Sequence, residues 1–181
     1  MYIIITAKGI YKMINISIAQ IIKAHSIDKR GMYKRITKLT EEHGELYEAF
    51  MSNERLNVLE EGVDNLVVLV SLSYEIDNRC LDISQLKTNQ SFIQKVNHNI
   101  EPFFLIAEYS INIGKMSDTL QKYDNIISSQ YKGKATLDNA LDSIYLAIDS
   151  LMKFLLIFEP TEKELNALII KKMTKWIEKV S

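Results

Sequence analysis

The sequence predicts an all-α protein, and three observations favour this fold class. Apolar residues recur in several long segments at the spacing of one helix face. The 181 residues include only 6 Gly and 2 Pro, fewer than a β-rich protein with many tight turns would need. No segment alternates between apolar and polar residues clearly enough for a strand to be predicted.

The first half of the chain is expected to form four helices. The first spans about residues 17–25, and the second runs over about 29–51 and stops at Ser52. The third covers about 54–77 and contains an apolar run that should be buried on every side. A polar connector follows, and further helical turns are predicted over about 83–97.

The second half is expected to form three helices, and its two prolines mark where two of them begin. Pro102 is well tolerated in a first helical turn. Pro160 interrupts the helical pattern, and Thr161 and Glu164 beyond it have the spacing of a capping box. These helices are predicted over about residues 102–123, 136–158 and 161–180.

Composition and charge exclude several classes of protein. With 25% charged residues and a hydrophobic content of 47%, global disorder is not expected. The net charge of −1 gives no reason to expect a nucleic-acid partner. The apolar run Met1–Thr6 is too short for a signal peptide or a membrane span. Because Cys80 is the only cysteine, no intrachain disulfide can form, and a cytoplasmic protein without a membrane partner is expected.

Two pairs of acids interrupt the apolar surface at i, i+3 spacing. Glu42 falls inside an apolar helical stripe, with Glu45 one turn further on. Glu61 precedes Asp64 by one turn, and Asp64 leads directly into the apolar run Leu66–Val70. Acids against a core cost several kcal/mol unless they are paired or bind a metal ion. Carboxylates without His or Cys suit a hard ion, so the pattern predicts Mg²⁺, with Mn²⁺ as a substitute.

This pattern resembles the signature of the MazG-like, all-α nucleoside-triphosphate pyrophosphohydrolases. The matching segments are Lys38–Ala49 and Leu59–Leu66, and the similarity extends over about residues 32–76. The resemblance implies an Mg²⁺-dependent enzyme that converts an NTP or dNTP, such as dUTP or another unwanted dNTP, to the monophosphate and pyrophosphate. Protein-bound Mg²⁺ commonly completes its shell with water and substrate phosphates, in accord with that chemistry.

The resemblance assigns roles to individual acids. Glu42 or Glu45 would act as the general base, and the metal would be held by the four acids together: Glu42, Glu45, Glu61 and Asp64. Glu45 and Glu48 form a second Glu-x-x-Glu, but Glu48 shares the polar helix side with Glu41. We therefore expect Glu41 and Glu48 to be solvated surface acids.

The segment Leu59–Leu66 aligns without gaps on Leu137–Ile144, which indicates an internal repeat. Asp64 falls on Asp142, but Asn139 stands in the place of Glu61. The sequence therefore predicts two MazG-like repeats that share one core. Residues 1–100 would carry the acidic site, and residues 101–181 would be a degenerate copy packed against it.

The last predicted helix resembles the lysine-rich final helix of the family. Three lysines are candidate contacts to substrate phosphates: Lys171, Lys172 and Lys175. The alternative for each is a solvated helix face close to a helix C-terminus. Trp176 is expected to be a core or interface residue. Because one-repeat members of the family assemble their sites between subunits, the resemblance leaves a homodimer open.

Two other functions are weighed against the pyrophosphohydrolase. A non-catalytic helical interaction module would present the acids to solvent or to a protein partner, and it would release no pyrophosphate. A phosphoribosyl-ATP pyrophosphatase belongs to the same superfamily and is the less favoured enzyme. A ferritin-like di-iron site is excluded, because no histidine of the chain follows a glutamate by three residues.

Overall fold

The computed structural model describes residues 25, 27, 28, 30–77, 101–124 and 135–180, except for the side chains of residues 162 and 180. These residues form helices and no strands, as the all-α prediction requires. The five helices are α1 (Gly31–Met51), α2 (Arg55–Ile76), α3 (Pro102–Tyr123), α4 (Leu137–Leu156) and α5 (Glu162–Val180). In this part of the chain, no helix has both the length and the apolar character needed to cross a membrane.

Three predictions fall outside the described residues. They are the N-terminal apolar run with the helix at 17–25 (His25 excepted), the helical turns at 83–97, and the environment of Cys80. The predicted bounds of the other helices agree with the structure to within two residues. The largest difference at a helix start is at α1, which begins at Gly31 and not at residue 29. The Asp28 carboxylate accepts a hydrogen bond from the backbone N–H of Arg30 (3.1 Å), and Gly31 has a φ of 75°, so the chain turns here before it becomes helical.

The starts of α4 and α5 are both capped by side chains. Thr136 Oγ1 accepts a hydrogen bond from the N–H of Asn139 (3.2 Å), and Asn139 Oδ1 accepts one from the N–H of Thr136 (3.1 Å). Thr161 and Glu164 exchange the same pair of bonds, at 3.1 and 2.8 Å, so the predicted capping box is confirmed. Arg55 also donates to Glu164 (3.0 Å) and so ties the start of α5 to the start of α2.

Helices α1 and α2 form an antiparallel hairpin, because a three-residue turn joins them and Arg35 near the start of α1 contacts Glu75 near the end of α2 (3.4 Å). Helix α4 packs against α2 at Gly62, where an added Cβ would lie 2.3 Å from Leu155 Cδ2. The absence of a side chain at Gly62 therefore lets the two helices approach closely. Helix α5 runs parallel to α2, and α3 packs mainly on α4.

All five helices contribute to one continuous hydrophobic core. Phe50 of α1 and Phe154 of α4 meet edge to face with ring centroids 5.4 Å apart, so the core joins the two halves of the chain. The two aligned segments differ in their surroundings. Asp64 is half-buried but Asp142 is exposed, and Asn139 serves as a cap. The shared core is observed, and the two-repeat arrangement stays a prediction.

Candidate functional site

Three of the four predicted metal ligands converge on one point between α1 and α2. One carboxylate oxygen from each of Glu42, Glu45 and Glu61 lies within 4.8 Å of the other two. The i, i+3 spacing turns Glu42 and Glu45 to the same side of α1, and the antiparallel hairpin brings Glu61 of α2 against them. The fold thus holds three acids from two helices close together, although their negative charges repel one another.

Glu42 is the most deeply placed of these acids, with an exposed fraction of only 6%. Its Oε1 contacts the ammonium of Lys38 at 2.6 Å, but its Oε2 is buried and has no hydrogen-bond partner among the described residues. Burial raises the pKa of Glu42, because the charged form loses its hydration, and the neighbouring Glu45 adds to the effect. Lys38 opposes that rise without overcoming it.

Glu61 and Asp64 are also partly withdrawn from water. Burial raises the pKa of both carboxyl groups, and the negative charges around them add to that rise. Asp64 does not join the cluster of three. Its carboxylate is paired with the ammonium of Lys172 from α5, although it lies close enough to Glu42 for that charge to raise its pKa.

The candidate phosphate-binding lysines of α5 face the acids of α2. Lys171 contacts Glu60 at 2.9 Å, and Lys172 is half-buried against Asp64. Burial alone would lower the pKa of Lys172, but Asp64 and the acids around it raise the pKa on balance. Lys175 is exposed, and its positive charge opposes the rise in the pKa of Asp64 without overcoming it. These lysines therefore lie beside the acidic cluster, with two of them already engaged by carboxylates.

An open cavity of about 360 Å³ lies next to the cluster and is shared by the two arms of the α1–α2 hairpin. Its lining residues are Glu45, Glu48, Ala49, Ser52, Glu54, Asn57 and Glu61. No lysine or arginine of the described chain lines it. A polyanion could therefore enter only together with cations. Glu48 is exposed, as expected for a surface acid, and it forms part of the wall of this cavity. Glu41 behaves as expected, because it is exposed and pairs with Lys38 at 2.8 Å.

Asn65 was not foreseen as a site residue, although it is fully buried between the two acid-bearing helices. Its Nδ2 donates to the backbone carbonyl of Glu42 on α1 (2.8 Å) and to that of Glu61 on α2 (2.9 Å). Its Oδ1 accepts a hydrogen bond from the hydroxyl of Tyr109 on α3 (2.9 Å). The sequence does contain one sign that Asn65 matters: it is a lone amide side chain within the apolar part of α2, directly after Asp64.

His43 points away from the acids, as its place on the helical wheel predicts. Its Nε2 lies 3.0 Å from Ser110 Oγ, and its ring meets Tyr109 edge to face. The hydroxyl of Ser110 donates its hydrogen to the carbonyl of Ile106. The Ser110 oxygen must therefore accept a hydrogen bond from His43, and the histidine proton lies on Nε2. Burial lowers the pKa of His43, and the ring is therefore neutral and structural.

A second polar cluster lies at the start of α1, and we call it the Trp176 clasp. Its members are His25, Asp28, Arg30, Arg35, Glu75 and Trp176. Trp176 Nε1 donates to Asp28 (2.8 Å), and the guanidinium of Arg35 lies 5.5 Å from the centre of the indole ring. Trp176 is thus an interface residue between α5 and the segment before α1, and this contact holds the end of α5 in place.

Comparison of the chain with protein-family models, with curated proteins and with solved structures finds no match. The similarity to the MazG-like enzymes therefore rests on the motif residues themselves.

Proposed function

We propose that the protein is an Mg²⁺-dependent nucleoside-triphosphate pyrophosphohydrolase that converts an NTP or dNTP to the monophosphate and pyrophosphate. The observation that carries the proposal is the convergence of Glu42, Glu45 and Glu61 at the edge of an open cavity. The acids belong to the segments whose motif resembles the MazG-like enzymes. A charged surface of an interaction module would not require one of these acids to be buried.

The three carboxylates fit a hard divalent ion. Glu42 Oε2 is a buried acceptor without a partner, and a cation would supply one. The donors are all oxygens, which suits Mg²⁺ or Mn²⁺. Glu42, Glu45 and Glu61 would hold the ion, and Asp64 would join them if Lys172 released its carboxylate. A bound ion would neutralise charge on the triphosphate and on the leaving pyrophosphate.

The reaction needs a base that water can reach. Glu45 is exposed and lines the cavity, whereas Glu42 is buried beneath it. We therefore assign the role of general base to Glu45, which would take a proton from the attacking water. The water oxygen bonds to the α-phosphorus, and the bond from that phosphorus to the bridging oxygen breaks, so that pyrophosphate leaves. In this proposal, Lys172 and the exposed Lys175 would contact phosphate oxygens beside the acids.

The decisive experiment is a pyrophosphate-release screen over the common NTPs and dNTPs, with and without Mg²⁺. We expect release from at least one nucleotide only when Mg²⁺ is present. Asp64→Ala and Glu61→Gln should lose most of that activity and keep the fold, and Glu41→Gln is the matched control with an exposed acid. Full activity in both site variants would contradict the assignment. No release from any nucleotide would favour the interaction module.

Metal binding can be measured without turnover. Mg²⁺ or Mn²⁺ should raise the melting temperature in proportion to the logarithm of the ion concentration, because binding to the native state stabilises it. At a hundredfold excess over Kd the gain is about 2.7 kcal/mol. The shift should be absent in a Glu42→Gln, Glu61→Gln double variant. An unchanged melting temperature in the parent protein would argue against a metal site.

A further inference from the structure

We propose that Asn65 and Tyr109 are positioning residues of the acidic site: they set the spacing between Glu42 and Glu61 and link that spacing to helix α3. This inference rests on the proposed metal site. It concerns two residues that lie outside the acidic motif and contact neither the cavity nor the carboxylates.

Asn65 joins the two helices at the residues that carry the acids. A single amide nitrogen donates to the carbonyl of Glu42 at 2.8 Å and to the carbonyl of Glu61 at 2.9 Å. Glu61 lies one turn earlier on the helix of Asn65, but Glu42 lies on the opposite arm of the hairpin. The bond to Glu42 therefore fixes the height at which α1 passes α2, and with it the separation of the two acids.

Tyr109 determines which way the Asn65 amide faces. Its hydroxyl donates to Asn65 Oδ1 at 2.9 Å, and both residues are fully buried. With that oxygen occupied, the NH₂ group must point towards the two carbonyls. Without the hydroxyl, Asn65 Oδ1 would lose this hydrogen bond and become a buried acceptor without a donor, and the amide would be held only through its nitrogen.

The hydrogen bonds of Asn65 and Tyr109, which we call the Asn65 brace, are needed because the negative charges of the three site acids push α1 and α2 apart. Three carboxylates within 4.8 Å of one another repel when all are ionised, and Lys38 directly offsets only the charge of Glu42. The hydrogen bonds from the Asn65 side-chain amide to the two backbone carbonyls join neutral groups, so they resist that repulsion at any charge state of the acids. The ligands are then already close together before a cation arrives, which reduces the cost of binding it.

The brace gives the second half of the chain a defined part in the site. Tyr109 belongs to α3, and the neighbouring Ser110 accepts a hydrogen bond from His43, which directly follows Glu42. Helix α3 thus contacts both acid-bearing helices through polar groups. A change in the position of α3 would be transmitted to the spacing of the acids.

The test is the Mn²⁺ affinity of the full-length protein by isothermal titration calorimetry at fixed pH. Asn65→Leu preserves the approximate volume and removes both donors, and Tyr109→Phe removes only the hydroxyl. We expect Kd to rise about tenfold to a hundredfold for Asn65→Leu, as is typical when outer partners of metal ligands are lost. Tyr109→Phe should weaken binding in the same direction by less, and it keeps the measurement interpretable if Asn65→Leu does not fold.

Ser73→Ala is the matched control, because it removes a buried hydroxyl from the same helix whose hydrogen bond goes to Val70 (2.7 Å), away from the acids. It should change the melting temperature without changing Kd. If Tyr109→Phe and Asn65→Leu bind Mn²⁺ as tightly as the Ser73→Ala variant, the positioning role is refuted and the metal site stands. If the parent protein binds no Mn²⁺, the proposed function fails first, and the positioning role fails with it.

Discussion

The acidic site and the Trp176 clasp are built from the same kinds of residue but differ in how their charges are balanced. In the clasp, the carboxylates of Asp28 and Glu75 meet the guanidinium groups of Arg30 and Arg35. In the site, Lys38 and Lys172 face four carboxylates, from Glu42, Glu45, Glu61 and Asp64. One oxygen of the site acids, Oε2 of Glu42, is buried without a hydrogen-bond partner among the residues that the structure describes.

The pKa of Asp28 in the clasp and the pKa values of Glu61 and Asp64 in the site move in opposite directions. Burial would raise the pKa of Asp28, but hydrogen bonds from Arg30 and Trp176 lower it on balance. For Glu61 and Asp64 burial wins, and the pKa is raised. Folding therefore favours the charged form of Asp28 in the clasp and opposes the charged forms of Glu61 and Asp64 in the site. The difference indicates that the Asp28 carboxylate stabilises the protein, whereas the site acids hold negative charge at a cost in stability.

The largest expected effect is the loss of the clasp. Asp28→Ala removes one of the two carboxylates that face the buried guanidinium of Arg35, and it should lower the free energy of unfolding by about 3 kcal/mol. For a chain of this size that is a fall in melting temperature of about 10 °C. Trp176 is the only tryptophan, so its fluorescence should change in the same variant. An unchanged emission spectrum together with an unchanged melting temperature would show that the clasp carries no stability.

The second expected effect has the opposite sign. Glu61→Gln removes one negative charge from the site, so the metal-free protein should become more stable at pH 7 by about 1 kcal/mol while catalysis falls. The measurement is the melting temperature in the presence of a chelator, next to the rate of pyrophosphate release. A variant that is both less stable and inactive would mean that Glu61 has a structural role like that of the clasp residues.

The sequence predicted the parts of the acidic site that depend on spacing within one helix. The i, i+3 pairs and the apolar run after Asp64 follow from helical periodicity, and elsewhere the Thr161 capping box follows from the spacing of its two residues. It could not assign the partners that come from distant helices. The contacts of Lys172 with Asp64 and of Trp176 with Asp28 depend on how α5 packs, and no local sequence pattern encodes that packing. Asn65 was missed because two of its partners are backbone carbonyls, which leave no mark in the sequence, and the third, Tyr109, lies on a distant helix.

A third, smaller effect separates the two clusters by their pH dependence. A raised pKa in the folded state gives stability that is present at low pH and is lost as the pH rises through the folded pKa. The gain from Glu61→Gln should therefore be largest at pH 7 and fade towards pH 4, near the ordinary pKa of a glutamate. A lowered pKa acts in the reverse sense, so the loss from Asp28→Ala should be full at pH 7 and shrink as the pH falls below about 4. Melting curves of the metal-free proteins from pH 3.5 to 7.5, about half a unit apart, would show two differences from the parent protein of opposite sign, both shrinking as the pH falls.

The smallest expected effect is that of Glu41→Gln, which tests whether the imbalance of the site is confined to its buried acids. Glu41 shares Lys38 with Glu42 but lies on the exposed side of α1. Lys38 lowers the pKa of Glu41, whereas burial raises that of Glu42, although both carboxylates contact the same ammonium. Because solvent screens an exposed pair, the variant should keep its melting temperature and its pyrophosphate release. A clear loss of activity in Glu41→Gln, with Glu42→Gln still active, would move the metal site one residue along the helix. It would also show that the functional acids are not the buried ones. Equal retention in both variants would remove Glu42 from the site and leave its unpartnered oxygen without a function.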